Sequence, residues 1–240
     1  MIGLVLVSHS EPLAQATADL AMQMVHDVRP EIRLAGGAAG GFGTDAAAIA
    51  AAVDELAEVA SGVVLITDLG SAVLSASLAL DIRSSTVPVR ISSGPFVEAT
   101  TAAVVVAAAG ASLDVVCQEA NQALLAKQSA QEAEEPEVHE AASAPESSDA
   151  ASGDVELINP QGLHSRPAAV LVRTASGYES AIEITNLTAE RGPVKAASLI
   201  GILSLAAAGG HTVRIDAQGP DAAEAVAALS ALIAEGFGEA

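Results

Sequence analysis

Short apolar runs and helical spacing alternate along the first half of the chain. Ile2–Val7 and Val63–Thr67 are continuously apolar and rich in β-branched residues, which is typical of strands buried on both faces of a parallel sheet. Val87–Ile91 predicts a further strand. Because helical patterns separate these runs, residues 1–127 are predicted to form an α/β doubly wound, mostly parallel sheet.

Helices are predicted from apolar residues that recur every three or four positions. The first follows Ser10, an N-cap residue type placed just before Pro12, and its apolar positions are Leu13, Ala16, Leu20 and Met24. The second covers Thr44–Ala60, with an apolar face made by Ile49, Val53 and Leu56. Further helical stretches begin near Pro95 and Ser112.

Strict alternation marks the last third of the chain. Ala181–Thr185 and Thr212–Asp216 alternate with period two, so each strand has one wet face and the sheet is predicted to be antiparallel. Helical segments are predicted at Ser165–Ser176, Ser198–Ala206 and Asp221–Ala234. The order strand–helix–strand–strand–helix–strand–helix predicts an α+β open-faced sandwich for residues 153–240.

The composition shifts sharply between these two parts. Residues 128–152 contain seven acidic residues, no Lys or Arg, and two prolines. Such a segment cannot bury enough apolar surface to offset its ordering entropy, so we interpret it as a linker between two domains. As a flexible chain it would span roughly 28 Å root-mean-square.

Charge and cysteine content narrow the classes of protein and of partner. The net charge is −20, which disfavours nucleic acid and anionic lipid as partners. Cys117 is the only cysteine, so no internal disulfide can form, as expected in a reducing compartment. No apolar run approaches the roughly 20 residues needed to span a bilayer. We expect a cytoplasmic protein with no membrane partner.

A histidine with the surroundings of an anion site stands near the start of the second domain. His164 follows a turn at Gly162 and precedes a helix start at Pro167, where free N–H groups and the helix macrodipole stabilise negative charge. Arg166 adds a guanidinium that matches phosphate geometry. On the residues alone, a capping histidine without chemistry explains the pattern equally well.

The stretch G-L-H-S-R-P-A-A at 162–169 resembles the active-site signature of HPr, the phosphocarrier protein of the bacterial phosphotransferase system. The resemblance extends over residues 153–240 and implies that His164 is phosphorylated on Nδ1 with help from Arg166. Ser198 matches the regulatory serine of that family. Lys195 and Ala197 depart from the family pattern, so we expect Ser198 to serve as a helix N-cap.

His9 and Asp68 each follow a buried strand of the first domain. In an open α/β sheet, ligands and chemistry gather beyond the carboxyl ends of the strands. A carboxylate bonded to one ring nitrogen would fix the histidine tautomer and leave the other nitrogen as nucleophile. Gly70 and Ser71 offer donors at the next helix start. Taken singly, each of these features also fits a purely structural role.

Together these motifs resemble the mannose-type enzyme IIA fold and, more closely, the phosphotransferase subunit of bacterial PEP-dependent dihydroxyacetone kinase. The matching residues are V-S-H-S at 7–10, Gly43–Asp45, and D-L-G-S-A at 68–72. The resemblance covers residues 1–127 and implies a phosphohistidine at His9 Nε2, with Asp68 holding the ring. The glycines of Gly36–Gly43 are interpreted as turn geometry.

The resemblance implies a relay rather than an independent kinase. Enzyme I would phosphorylate His164, which would pass the group to His9 and then to ADP on a dihydroxyacetone kinase subunit. The printed sequence ends at Ala240, so enzyme I is expected from another chain. A homodimer through the first domain is also implied. Two alternatives stay open: a mannose-type sugar-uptake component, and a regulator that reports its phosphorylation state.

Other chemistry is not indicated by the sequence. No G-x-x-x-x-G-K-[ST] motif is present, so no P-loop ATP site is predicted. No histidine pair has metal-ligand spacing, and neither a metal nor another cofactor is expected. His26 is interpreted as a surface residue, His139 as inert within the linker, and His211 as structural.

Overall fold

The computed structural model describes residues 1–25, 28–132 and 150–238 of the chain. The chain divides into two compact units, Met1–Leu124 and Leu125–Ala240. Each unit has its own four-stranded sheet. His26 and His139 lie outside the described residues.

The first unit contains a parallel sheet. Its strands are β1 (Ile2–Ser8), β2 (Ile32–Gly36), β3 (Gly62–Thr67) and β4 (Val89–Ser92), in the order β2-β1-β3-β4. Every residue of β1 and β3 is buried, as the continuous apolar runs predicted. The parallel pairing of β1 with β2 and β3, and of β3 with β4, confirms the predicted α/β class.

Among the described residues, five helices accompany these strands, and the last of them continues past Leu124. They are α1 (Glu11–Met22), α2 (Ala46–Ala57), α3 (Gly70–Ile82), α4 (Phe96–Ala108) and α5 (Leu113–Glu132). Helix α1 packs against α4 and helix α2 packs against α3. Ile49, Val53 and Leu56 of α2 are fully buried, so the predicted apolar face of this helix is confirmed.

Helix α1 is present, but its buried face is not the one that its larger apolar residues suggested. Leu13 is 43% exposed and Leu20 is 45% exposed. The face that packs inward consists instead of small residues: Ala14, Thr17, Ala18 and Ala21. Small side chains allow the helix to approach its neighbours closely, and this contact decides the orientation more than the hydropathy of single positions does.

In its described residues, the second unit has an antiparallel sheet, three α-helices and the short 3-10 helix Gly236–Gly238. Its elements run β5 (Ala150–Glu156), α6 (Ser165–Ala175), β6 (Ala181–Asn186), β7 (Arg191–Lys195), α7 (Leu199–Ser204), β8 (Thr212–Gln218) and α8 (Ala222–Ala234). The strand order is β5-β8-β6-β7, with every pair antiparallel. Strand β6 alternates buried and exposed residues, so the predicted open-faced α+β class is confirmed.

Regular elements occupy both ends of the stretch 128–152. Helix α5 continues to Glu132, and strand β5 begins at Ala150, where it pairs with Gln218 of β8. Residues 133–149 lie outside the described part of the chain. Among the residues that are described, no helix combines the length and the hydropathy that crossing a membrane requires.

Candidate functional site

His9 lies directly after β1, at the carboxyl edge of the parallel sheet. The loop Gly36–Gly43 is bonded to the backbone here: Gly43 donates its N–H to the His9 carbonyl at 2.9 Å, and Gly37 donates to the Ser8 carbonyl at 3.0 Å. The Asp68 N–H bonds the Val7 carbonyl at 3.1 Å. The ends of β1, β2 and β3 therefore meet around one histidine, as the sequence predicted for His9 and Asp68.

The carboxylate of Asp68 accepts four hydrogen bonds. Its Oδ2 accepts the His9 backbone N–H at 2.8 Å and the Ser8 hydroxyl at 3.0 Å. Its Oδ1 accepts the Leu69 N–H at 2.7 Å and lies 2.9 Å from Nδ1 of the His9 ring. A carboxylate bonded in this way is held rigidly, and it fixes the ring beside it.

These contacts also determine the charge of Asp68. Burial alone would raise the pKa of this carboxyl, but hydrogen bonds from the His9 backbone, the His9 ring, the Ser8 hydroxyl and the Leu69 backbone outweigh it. The pKa of Asp68 is therefore held below its usual range. The group is ionised at neutral pH, and so it accepts a proton-bearing Nδ1 from the imidazole.

The other nitrogen of the His9 ring faces a serine. Nε2 lies 3.0 Å from the hydroxyl oxygen of Ser71, in the first turn of α3. With Nδ1 bonded to the carboxylate, we assign the proton to Nδ1 and the lone pair to Nε2. The side chain of His9 is 25% exposed, so the ring is partly open to solvent. The first N–H groups of α3 have no acceptor within their own helix and favour an anion here.

Close backbone packing accounts for the first glycines of the loop Gly36–Gly43. A Cβ atom on Gly36 would lie 2.6 Å from the backbone Cα of Glu11. Gly37 has a φ of 77° and would place a Cβ 2.8 Å from the Gly41 carbonyl. The loop can therefore approach the start of α1 only without side chains. The positive φ of Gly37 agrees with the interpretation of these glycines as turn geometry, whereas Gly36 is needed for the close approach of α1.

The second candidate histidine is the N-cap residue of α6. His164 is half-buried, and its backbone carbonyl accepts the Ala168 N–H at 3.0 Å. Leu163 is tied to a neighbouring loop, because its N–H donates to the Ala207 carbonyl at 2.8 Å. Arg166 is exposed in the first turn of α6, two residues after His164. The structure thus places a histidine and a guanidinium at one helix N-terminus, and their predicted roles stay predictions.

Asn159 is a structural residue of this loop that the sequence did not single out. Its side chain is 1% exposed and donates from Nδ2 to the Gly162 carbonyl at 2.6 Å, while Gly162 N–H bonds the Asn159 carbonyl at 3.0 Å. The Oδ1 atom is buried without a hydrogen-bond partner. An asparagine three residues before a turn glycine was the available signal, because asparagine side chains bond nearby backbone in turns.

Two other residues have the structural roles that the sequence indicated. The Ser198 hydroxyl accepts the Gly201 N–H at 2.9 Å and caps α7, so the expected N-cap is confirmed. The ring Nδ1 of His211 lies 3.1 Å from Nδ2 of the buried Asn186, just before β8. Within residues 1–25, 28–132 and 150–238, no group of three or more His, Cys, Asp or Glu side chains is arranged to hold a metal ion.

Comparison with protein families matches both units. Residues 3–117 match the EIIA-man family, described as the PTS system fructose IIA component. Residues 151–235 match the PTS-HPr family, described as the PTS HPr component phosphorylation site. The chain thus joins a mannose-type enzyme IIA domain to an HPr domain.

Curated relatives with the same order of domains align over the whole chain. A protein of Pantoea ananatis is 40% identical over 247 residues, and one of Klebsiella michiganensis is 38% identical over 248 residues. Both are named "PEP-dependent dihydroxyacetone kinase, phosphoryl donor subunit DhaM". Each alignment covers 100% of this chain and 51% of the relative, so the chain spans about half the length of these proteins. The chain belongs to the DhaM-like family.

A solved structure matches the second unit. The crystal structure of HPr-C-His from Thermoanaerobacter tengcongensis is 40% identical, with a TM-score of 0.35, over 38% of this chain and 98% of that one.

Proposed function

We propose that this chain is the phosphoryl donor of a PEP-dependent dihydroxyacetone kinase, working as a relay of two histidines. Enzyme I loads His164, His164 passes the phosphoryl group to His9, and His9 passes it to ADP on a separate kinase subunit. The proposal also assigns the chain to the cytoplasm, as a homodimer through its first domain.

The contacts around His9 carry this proposal. A buried carboxylate on Nδ1 and a hydroxyl on Nε2 leave one ring nitrogen with its lone pair, at a helix N-terminus that favours an anion. When Nε2 attacks phosphorus, the ring keeps its proton on Nδ1 and gains positive charge. Asp68, ionised and 8% exposed in its side chain, neutralises that charge in place.

Transfer between the histidines conserves atoms and charge. The bond from phosphorus to Nδ1 of His164 breaks, and its electron pair returns to that nitrogen while a bond to Nε2 of His9 forms. Arg166, at the helix start beside His164, compensates the charge on the phosphoryl oxygens of the donor. Each step needs positioning and charge compensation and no further covalent intermediate.

The last step delivers the group to ADP. A terminal oxygen of the β-phosphate attacks phosphorus, the N–P bond of His9 breaks, and its electron pair returns to Nε2, so that ATP forms on the kinase subunit. That subunit then phosphorylates dihydroxyacetone with the ATP. The nucleotide belongs to the partner in this scheme, in keeping with the missing P-loop motif of this chain.

Labelling with radioactive phosphoenolpyruvate and purified enzyme I tests the order of transfer. The wild-type chain is expected to carry label on two histidines, and His9→Ala is expected to carry it on His164 alone. His164→Ala should carry none, because His9 then has no donor. Label on His9 in the His164→Ala chain would contradict the order, and ATP alone should give no label.

A chase distinguishes the kinase from sugar uptake, which the description of the matched IIA family favours as a second candidate. The chain labelled on His9 is mixed in turn with free ADP, a sugar-permease component and an ADP-loaded dihydroxyacetone kinase subunit. Rapid loss of label only to the kinase subunit is the expected result. Loss to the permease component and not to the kinase subunit would reject the kinase in favour of uptake.

A further inference from the structure

The loops around His9 contain no positive charge. They are residues 8–12, 36–46 and 67–72, all described by the structure, and none of these residues is Lys or Arg. Besides Asp68 they contribute two carboxylates, Glu11 and Asp45. The HPr domain differs, because Arg166 stands beside its histidine. The chain itself therefore offers a phosphoryl group at His9 only backbone and hydroxyl donors, and a docking protein is the source from which a positive charge can be added.

One of these loops also presents an aromatic ring to solvent. Phe42 is 88% exposed, whereas Phe96 of the same unit is 8% exposed. The ring follows a tight turn, closed by two hydrogen bonds of 3.0 and 2.9 Å between the backbones of Ala38 and Gly41. The turn fixes the backbone that carries the Phe42 ring. Exposed aromatic residues on ordered backbone are typical anchors of protein interfaces.

A groove of about 570 Å³ lies beside this ring. Its lining includes the glycines and alanines of residues 36–41, Pro12, Phe42 and the acidic residues Glu11 and Asp45. Ser10, the residue after His9, also lines the groove. A ring face together with two carboxylates suits the long apolar stem and charged head of Lys or Arg.

We propose that this groove receives a lysine or arginine side chain of the protein that accepts the phosphoryl group from His9. The positive head lies between Phe42 and the carboxylates of Glu11 and Asp45, and the docked chain brings its positive charge to the His9 side of the sheet. The inference rests on the proposed function and adds to it the chemistry by which the acceptor is recognised.

The accepting protein is favoured over the donating HPr domain for a kinetic reason. The donor belongs to the same chain, and a linked domain reaches an effective concentration in the millimolar range without a strong docking contact. The acceptor is a separate chain and must be recognised from dilute solution. An acidic face accelerates the encounter with a basic partner and selects against acidic ones.

The test measures discharge of labelled His9 to the ADP-loaded kinase subunit as the concentration of that subunit is varied. Phe42→Ala should raise the KM for the subunit about tenfold, the range of an interface anchor, and change kcat by less than about twofold. Phe42→Leu keeps an apolar side chain without the ring and should fall between. Because Phe42 is 88% exposed, neither variant disturbs the core.

The electrostatic part is tested with the double variant Glu11→Gln, Asp45→Asn. Asparagine can replace Asp45 as the N-cap of α2, so the helix start is retained. In this variant the KM should rise at low salt and lose most of its dependence on ionic strength. The matched control for Phe42→Ala is Val59→Ser, which also removes an exposed apolar side chain, 62% exposed. Val59 lies near Ser61, whose N–H bonds Met1 at the start of β1, so it is at the end of the sheet away from His9.

The outcomes distinguish a failure of the docking proposal from a failure of the proposed function. If wild-type His9 discharges and Phe42→Ala leaves the KM for the kinase subunit unchanged, the docking proposal is wrong. The same holds if the variant slows only the loading of His9 from His164, because the groove then serves the HPr domain. If the wild-type chain keeps its label in the presence of the kinase subunit, the proposed function fails, and the docking proposal fails with it.

Discussion

The carboxylate of Asp68 contacts His9 twice, through the backbone and through the ring. Oδ2 accepts the His9 N–H at 2.8 Å, and Oδ1 lies 2.9 Å from Nδ1. One side chain therefore fixes both the position of the residue and the orientation of its imidazole. This double contact makes the tautomer of His9 depend on Asp68, and it leads to the first two predictions.

Replacing Asp68 by Asn is expected to slow phosphorylation of His9 by about 100-fold or more, within the range for lost acid–base positioning. An amide can accept at only one of its two ends, so either the His9 N–H and the Ser8 hydroxyl, or the Leu69 N–H and the ring, lose their acceptor. If the NH2 group faces Nδ1, the ring must place its proton on Nε2 and loses its nucleophile. Nitrogen NMR of the imidazole measures the tautomer directly.

Asp68→Ala provides the comparison for that result. It removes every acceptor and should also destabilise the first unit by about 1–3 kcal/mol, because the donors of Ser8, His9 and Leu69 lose their partner. Asp68→Asn should be the milder variant in stability while remaining slow in transfer. An Asp68→Asn chain that is phosphorylated at the wild-type rate would contradict the role given to this carboxylate.

The lowered pKa of Asp68 predicts how acid affects the first unit. A group whose pKa is lower in the folded state stabilises that state above its unfolded pKa, here about 4. The stabilisation is lost as the pH falls through the folded pKa. Urea unfolding followed by NMR signals of β1 and β3 should therefore show the wild type losing stability below about pH 4 more steeply than Asp68→Asn, which has no carboxylate to protonate there.

The hydroxyl of Ser71 predicts a smaller kinetic effect. It lies 3.0 Å from Nε2, where the phosphoryl group is received, so Ser71→Ala should slow transfer to His9 by about tenfold, the value of one neutral hydrogen bond. Ser77→Ala is the matched control, because Ser77 is in the same helix and its exposed hydroxyl bonds only the Val73 carbonyl at 2.9 Å. If the two variants transfer the phosphoryl group at equal rates, Ser71 has no role in the transfer.

The sequence predicted best what depends on long apolar runs. Strands β1 and β3 are buried on both faces, and each leads directly into one member of the His9–Asp68 pair. Edge strand β2 was not predicted, because Ile32–Gly36 is short and includes Arg33, which bonds Glu31 and Glu55 at the surface. Such strands form because a neighbour offers pairing partners, and one-dimensional hydropathy does not show this.

Hydropathy along the sequence also failed to predict the start of strand β5. Ala150–Ser152 has the composition of the preceding acidic segment, yet these residues pair with Asp216–Gln218 of β8. Pairing of the backbone stabilises this part of the strand, which the small side chains alone do not. The Ser71 contact with Nε2 and the Asn159 anchor depend on the three-dimensional path of loops, and no periodicity in the sequence encodes that path.

Asn159 predicts a link between loop order and phosphorylation of His164. Asn159→Ala removes the 2.6 Å bond to the Gly162 carbonyl, so the loop before His164 should open more often and accept phosphoryl from enzyme I several-fold more slowly. Faster amide hydrogen exchange at Gly162 and Leu163 measures the opening. Asn121→Ala, which removes an amide anchored to Ser92 and Ser93 in the first unit, should leave loading of His164 unchanged.

Cutting the chain between the two units should slow transfer from His164 to His9 without abolishing it. If residues 128–152 act as a linker, they keep the two histidines at an effective concentration in the millimolar range. A protease site introduced within residues 136–146 allows one preparation to be compared before and after cleavage. At micromolar concentration, the cleaved units should react more slowly by roughly the ratio of the two concentrations, provided that encounter limits the rate. Raising their concentration should restore the rate in proportion. Cleaved units that match the intact chain at micromolar concentration would show that transfer does not depend on the linker, either because the units associate tightly or because it occurs between chains.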